Sequence, residues 1–178
     1  MGRGFVEYTH AVSGRKDSVL FSAYFYYQLS DGAKLSVFET PAWCYKCKSF
    51  ITAEEIPTLE SLAAEIEKLQ AGDPELAKFW SYVLDGAPIE KRIEQLRIRC
   101  GWRQSRRSPP RCLECGETDI VATPSAGDSE FKHPETGETL LVSGYGWTDL
   151  LPFIVEFTPE GERIGEQTFD DWEFDIIR

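Results

Sequence analysis

Long apolar runs are absent from this sequence. None approaches the roughly 18 residues that a membrane-spanning helix needs, and the N-terminal stretch MGRGFVEYTH has no apolar signal core after its arginine. We therefore expect a cytoplasmic protein that makes no contact with a membrane. Hydrophobic residues make up 42% of the 178 positions, enough to bury the core of one domain, and we assign residues 1–178 to a single domain.

Recognisable catalytic motifs are absent as well. Histidine occurs only at His10 and His133, neither of them in a catalytic or metal-binding spacing, and we expect both in surface or loop positions. The sequence has no nucleophile elbow, phosphate-binding loop or HExxH motif. These absences favour a non-enzymatic protein over a zinc-dependent enzyme.

Cysteine is scarce but clustered, because four of the five cysteines form two CxxC pairs. In a reducing compartment an odd number of cysteines argues against a disulfide framework, and paired CxxC motifs favour metal binding. A tetrahedral zinc site takes four thiolates, and two tight turns can each present two of them. Two pairs of reduced cysteines with a redox role are the alternative. A catalytic zinc is disfavoured, since four protein ligands leave no position for water. We predict that one structural Zn²⁺ is bound by Cys44, Cys47, Cys112 and Cys115.

These residues resemble the zinc-ribbon family, in which two zinc knuckles at the tips of β-hairpins share one ion. The resemblance covers only the stretches around the two CxxC pairs. Gly116 follows the second pair and suits the backbone turn of a knuckle, whereas Lys48 stands at the equivalent position of the first pair and departs from the family pattern. The fifth cysteine, Cys100, falls on the apolar face of a predicted helix, where we expect a buried core thiol.

Alternation of apolar and polar residues predicts strands at both ends of the chain. A three-residue loop at 30–32 places apolar residues on one face of an N-terminal hairpin. It pairs Leu29 with Ala33, Tyr27 with Leu35 and Phe25 with Val37. Further strands are predicted at 139–145, 153–158 and 163–169, with a turn at 158–161.

Helical periodicity predicts three helices between the CxxC pairs. They occupy 58–72, 73–86 and 88–101, with glycines at their ends, and the segment 103–110 reads as a polar linker. The predicted fold class is therefore α+β, an antiparallel β-sheet with a four-cysteine zinc ribbon. The three helices form an insertion, residues 57–101, between knuckles at 44–47 and 112–115.

Charge is distributed unevenly along the chain, whose net charge is −11. Residues 117–178 contain fifteen acidic side chains against three basic ones, whereas 91–111 contains eight basic residues and only one acid, Glu94. The acidic third favours a protein partner with a basic surface. Nucleic acid is a less favoured partner because the chain as a whole is acidic.

The leading functional hypothesis is a non-enzymatic, zinc-stabilised protein-binding protein. It is similar in general style to small bacterial immunity proteins, and an acidic face could cover the positive substrate groove of a nucleic-acid-acting toxin. An edge strand with a polar outer face explains the same pattern more simply. The predicted partner-binding residues are Asp170, Asp171, Trp172, Glu173 and Asp175.

The alternative function is a zinc-ribbon nucleic-acid-binding or transcription-associated factor. It would use the basic segment 91–111, in which Trp102 could stack on a base. The same segment could instead be a solvated helix face that pairs with the protein's own acidic third.

Overall fold

The computed structural model describes residues 3–21, 23–75, 89–125, 129–148 and 153–168. Within these ranges the chain forms eleven strands and two helices. The strands are β1 (Arg3–His10), β2 (Lys16–Leu20), β3 (Ala23–Gln28), β4 (Lys34–Ser36), β5 (Phe38–Cys44), β6 (Ser49–Glu55), β7 (Ile120–Ala122), β8 (Glu130–Lys132), β9 (Thr139–Thr148), β10 (Phe153–Phe157) and β11 (Arg163–Thr168). The helices are α1 (Leu59–Gln70) and α2 (Ile89–Ser105).

The described strands form three sheets, with the orders β2-β1-β9-β8, β11-β10-β3-β4 and β6-β5-β7. Two pairings join strands from opposite ends of the chain. β1 pairs antiparallel with β9, and β3 pairs parallel with β10. The N-terminal and C-terminal strands therefore build the same sheets, while the third sheet carries both CxxC pairs.

This architecture shows that the predicted α+β fold class is wrong. The described part of the chain is mostly β, and its strands form three sheets with one parallel pairing instead of a single antiparallel sheet. The three-helix insertion at 57–101 is also wrong, because the described residues of that stretch hold two helices, α1 and α2. Most of the predicted helix at 73–86 lies outside the described residues. The sheets depend on pairing between strands that are distant in sequence, and local periodicity does not indicate which strands pair.

Helix α2 continues four residues beyond Gly101, the position predicted to end it. The added turn carries Trp102, which is 4% exposed and stacks on Tyr27 with ring centroids 4.6 Å apart. The indole N–H also donates to the carbonyl of Pro159 at 2.9 Å. Burial of this large ring outweighs the modest helix penalty of glycine.

The N-terminal hairpin is confirmed in its predicted register. Tyr27 pairs with Leu35, and backbone hydrogen bonds of 2.8 Å join Leu29 N–H to Ala33 O and Val37 N–H to Phe25 O. β9, β10 and β11 confirm the predicted C-terminal strands, and the Thr158 N–H donates to Glu162 O across the predicted turn. In β9 the alternation follows burial, since Leu140 and Val142 are buried while Leu141 is exposed.

The two helices pack against each other through a small apolar cluster. Leu62 and Leu69 of α1 meet Leu96 of α2, with Cys100 at the edge of the cluster. Thr58 caps α1, since its side chain accepts from the Ser61 N–H at 3.0 Å. Neither helix, in the part of the chain that the structure describes, is long and apolar enough to cross a membrane.

Candidate metal centre

The first CxxC pair forms a tight turn between β5 and β6. Cys44 ends β5 and pairs with Ser49, the first residue of β6. The Lys48 N–H donates to Cys44 O at 2.9 Å, and the Cys47 N–H points at Cys44 Sγ at 3.5 Å. Lys48 has a φ of 55°, so it takes the left-handed conformation that a knuckle needs although it is not glycine.

The second CxxC pair repeats this turn. The Gly116 N–H donates to Cys112 O at 2.9 Å, and the Cys115 N–H points at Cys112 Sγ at 3.5 Å. Gly116 has a φ of 77°. Lys48 and Gly116 therefore occupy equivalent positions in two matching turns, and the departure noted in the first pair does not change the backbone.

Sheet pairing brings the two turns together from opposite sides. On one side β7 pairs with β5, which places Ile120 opposite Cys44. On the other side Cys112 forms an isolated antiparallel bridge with Ala53 of β6. The chain around the second pair thus runs from the β6 edge of this sheet to β7, which pairs with β5 on the other side, and the four thiols share one cluster.

The four sulfur atoms have the spacing of a single metal site. Cys44 Sγ lies 3.6 Å from Cys115 Sγ, and Cys47 Sγ lies 3.9 Å from Cys112 Sγ. All four lie within 4.8 Å of one another. A tetrahedron with metal–sulfur bonds of about 2.3 Å has edges of about 3.8 Å, whereas a disulfide needs about 2.05 Å. All five cysteines are free thiols, and the predicted four can bind a metal ion together.

Burial disfavours ionisation of two of these thiols, Cys47 and Cys112, when no cation is near. Cys44 and Cys112 are buried, and Cys47 and Cys115 are half-buried. Burial raises the pKa of Cys112 to about 12 and also raises the pKa of Cys47. Burial would raise the pKa of Cys115 too, but hydrogen bonds from the Glu117 amide and the other thiols outweigh it and lower that pKa. A cation at the centre would favour the thiolate at all four positions.

Two ion pairs tie the outside of the knuckles to their neighbours. Lys46 of the first turn binds Glu117 of the second at 2.7 Å, and Lys48 binds Glu135. The hydrogen bond with Glu117 raises the pKa of Lys46. Both pairs are exposed to solvent and contribute little to stability. Lys46 and Lys48, the lysines next to the cysteines of the first pair, are therefore already paired with carboxylates.

A buried ion pair supports the approach to the second knuckle. Arg106 Nη2 donates to Glu54 Oε2 at 2.6 Å and Arg106 Nη1 donates to Glu54 Oε1 at 3.1 Å, and both side chains are 0% exposed. Glu54 also accepts from Tyr27 Oη at 2.8 Å and from the Arg111 N–H at 2.9 Å. This network fixes the segment before Cys112 against β6 and β3.

Three of the eight basic residues in the segment 91–111 are buried and have partners inside the protein. Arg92 binds Glu65 at 2.9 Å, Arg99 donates to Ser36 O and lies over the Phe38 ring, and Arg106 binds Glu54. Arg92 and Arg99 lie seven residues apart on the helix face that also carries Leu96 and Trp102, and Arg106 continues this spacing one residue beyond the end of α2. This regular spacing on one side of the helix could have predicted that these arginines are buried, whereas the composition of the segment could not.

Other predicted residues lie apart from the centre. Cys100 is half-buried at the α1–α2 cluster. His10 and His133 are each 3% exposed, so neither is a surface residue. His133 does lie in a loop, between β8 and β9, whereas His10 ends β1, so the expectation is wrong for His10. Val6, Tyr8 and His10 alternate on the buried face of β1, a pattern that could have revealed the first histidine. The residues predicted to bind a partner, Asp170, Asp171, Trp172, Glu173 and Asp175, lie outside the described residues.

No protein-family model, curated protein or solved structure matches this chain.

Proposed function

We propose that the four cysteines bind one structural zinc ion in a non-enzymatic binding protein. The protein would act in the cytoplasm as an immunity or inhibitor protein, and its acidic face would neutralise a basic, nucleic-acid-acting toxin. The observation that carries the metal-binding part of the proposal is the meeting of two CxxC turns with four thiol sulfurs within 4.8 Å of one another.

Zinc is the metal that we favour for this donor set. Tetrahedral sites made of four sulfur atoms hold zinc or iron, and four protein ligands leave no position for a reacting water. The ion would therefore act by joining the two knuckles. A reducing cytoplasm, which keeps thiols free, suits such a site.

Elemental analysis of the purified, dialysed protein tests the metal. We expect one zinc per chain, retained by the Cys100→Ser variant and lost by Cys112→Ser. One iron per chain would overturn the choice of zinc. A folded protein without any metal would overturn the site itself.

The charge distribution supports a basic protein partner. Residues 117–178 carry a net charge of −12. Arg92, Arg99 and Arg106 are buried against internal partners and add no cationic groups to the surface. Acidic side chains beside apolar ones suit a partner of opposite charge, because complementary potentials speed association.

The same contacts count against the alternative of nucleic-acid binding. Trp102, the candidate stacking ring, is buried on Tyr27. Of the basic segment, Arg97 and Arg107 are the exposed arginines, and Arg97 faces Glu94 at 3.6 Å. A phosphate-binding surface needs several cations that can reach the backbone of the nucleic acid.

Affinity purification from the native host followed by kinetics tests the partner. We compare the wild type with a variant carrying Asp171→Asn, Glu173→Gln and Asp175→Asn. A control with the same change in charge carries Glu55→Gln, Glu67→Gln and Glu75→Gln at exposed positions. The first variant should associate more slowly with a captured basic protein and respond less to salt, while the control matches the wild type. Equal rates for all three proteins, or capture of nucleic acid instead, would contradict the proposal.

A further inference from the structure

The short strand β7 lies at one edge of the β6-β5-β7 sheet. Among the residues that the structure describes, it pairs with β5 on one side and with no strand on the other. An edge strand presents unpaired backbone N–H and C=O groups, to which another extended chain can add as a further strand. The outer edge of β7 is therefore a template for strand addition.

Backbone hydrogen bonds show which groups of this strand face outward. The Thr123 N–H donates to Pro41 O at 2.9 Å, and the Tyr45 N–H donates to Asp119 O at 3.3 Å. Alternate residues of an antiparallel strand direct their N–H and C=O groups to the same neighbour, so Asp119 and Thr123 face β5 whereas Ala122 faces the open edge. The Ala122 N–H and C=O have no partner within the described ranges. Together they can exchange both hydrogen bonds with one residue of an added antiparallel strand.

A groove with a volume of about 360 Å³ lies beside this edge. Ala42 and Ala122, which are directly opposite each other, line it together with the larger apolar residues Ile120, Ile56 and Pro110. Its volume is at the lower end of the roughly 300–1,000 Å³ typical of ligand pockets. A strand added to β7 would direct every second side chain to the face that carries Ala122, so the groove can take an apolar side chain of that strand.

The chain that leads into β7 is acidic. Residues 114–119 include Glu114, Glu117 and Asp119 and no basic residue. Glu117 pairs with a lysine of the first knuckle, whereas Glu114 and Asp119 are exposed and have no cationic partner in the described part of the chain. Because Ile120 lines the groove, alternation along the strand places Asp119 on the opposite face. An added strand would therefore meet an apolar groove on one face and a carboxylate on the other.

We propose that the open edge of β7 binds an extended, basic peptide segment of a partner protein. This segment pairs with the backbone of Ala122 and places an apolar side chain in the groove. Its lysine or arginine side chains alternate with the apolar ones and lie on the face of Asp119. Charge complementarity selects this occupant, since the edge holds unpaired carboxylates and the net charge of the chain is −11. The proposal does not depend on the predicted partner-binding residues of the C-terminal segment.

Exchange of the Ala122 amide in the free protein tests whether the edge is open. We expect fast exchange at every protein concentration, because this N–H has no acceptor. Protection that disappears on dilution would show that a second copy of the chain pairs with β7. Protection that does not change on dilution would show that another segment of the same chain covers the edge. Either form of protection would overturn the proposal.

Titration of the purified protein with synthetic peptides, followed by NMR, tests the occupant. The probe is a short capped peptide of alternating leucine and lysine, which should shift the amide signals of residues 118–123 and slow exchange of the Ala122 amide about tenfold at saturation. Methylation of the leucine amides, which face β7 when leucine lies opposite Ala122, should weaken binding about tenfold, whereas methylation of the lysine amides should not. A peptide of leucine and glutamate should also bind about tenfold more weakly. Equal binding of all these peptides, or shifts confined to other strands, would overturn the proposal.

Two pairs of protein variants assign the contacts of the leucine–lysine peptide. Ala122→Pro removes the outward N–H and keeps the pairing with β5, so it should bind about tenfold more weakly, whereas Ala122→Ser should match the wild type. Asp119→Asn should lower the affinity about two- to fivefold. Glu55→Gln is its control, because Glu55 lines the β6 side of the groove, three strand spacings of about 4.8 Å from the added strand. Equal affinities within either pair would contradict the proposal, and if Ala122→Pro does not fold, the methylated peptides decide.

Discussion

The first knuckle lies at the tip of a regular hairpin, whereas the second depends on side chains. Seven consecutive residue pairs join β5 to β6 directly below Cys44 and Cys47. The second knuckle meets the sheet through the isolated Ala53–Cys112 bridge, a few backbone hydrogen bonds and the short pairing of β7 with β5 after Cys115. The Glu54–Arg106 ion pair holds the chain that leads into it. The same backbone turn is thus supported by strand pairing in one case and by a buried network in the other.

This difference indicates which half of the centre needs a metal most. A hairpin with a full set of cross-strand hydrogen bonds keeps its register without a metal, since pairing and side-chain packing specify it. The second knuckle has few backbone contacts, so the metal–sulfur bonds are its main constraint and are lost when the ion leaves. Removal of the metal should therefore loosen the second knuckle before the first.

The largest expected effect is that of removing one cysteine ligand. Cys112→Ser should unfold the second knuckle and lower stability by an amount on the order of 10 kcal/mol, the contribution typical of structural zinc. Cys100→Ser is the matched control, because its half-buried thiol should cost only about 1–3 kcal/mol. Chemical denaturation with metal analysis checks both variants. Loss of metal from the Cys100 variant would instead make that cysteine a ligand.

Neutralising Glu54 should have the next largest effect. Glu54→Gln leaves Arg106 buried without its counter-ion, which costs about 3–5 kcal/mol. The neighbouring Glu55→Gln changes an exposed side chain and should stay within about 0.5 kcal/mol of the wild type. Equal denaturation midpoints for the two variants would show that the buried pair does not support the second knuckle.

The turn between β10 and β11 closes over the same ion pair at Gly161. This residue has a φ of 81°, and an added Cβ would lie 2.7 Å from both Arg106 Nη2 and Glu54 Oε1. Gly161→Ala should therefore cost about 2–4 kcal/mol, from backbone strain and crowding together. Gly137→Ala is the control, since Gly137 has a similar φ of 71° and no atom within 4 Å of the added Cβ. Thermal unfolding should place the Gly161 variant clearly below the Gly137 variant.

The smallest effect concerns the left-handed residue of the first knuckle. Lys48→Gly should be about 1 kcal/mol more stable than Lys48→Ala, because only alanine keeps a Cβ in the left-handed conformation. Both variants lose the pair with Glu135, so their difference isolates the backbone. Equal unfolding free energies would mean that the first knuckle tolerates a Cβ at this position without strain.

The sequence was informative where local pattern and structure coincide. The register of the hairpin from Phe25 to Val37 follows from placing apolar residues on one face, and the four cysteines follow from CxxC spacing. Both are short-range signals with a direct chemical meaning. Both predictions agree with the structure because burial requires apolar residues on one face of the hairpin and metal binding requires cysteines at this spacing.

The rest depended on contacts between distant parts of the chain. The parallel pairing of β3 with β10 joins residues about 130 positions apart in sequence, and nothing local selects that partner. The composition of the basic segment suggested an exposed cationic surface, because composition does not show where in the fold the carboxylates that pair with its arginines lie. Glu54 and Glu65, which pair with Arg106 and Arg92, come from β6 and α1.

X-ray absorption spectroscopy at the zinc edge, on protein purified without added metal, shows whether one ion joins the two knuckles. Each knuckle should contribute two thiolates to this ion. We expect a zinc atom with four sulfur neighbours at about 2.3 Å and no nitrogen or oxygen ligand. A first shell containing nitrogen or oxygen, or a folded protein without zinc, would contradict it.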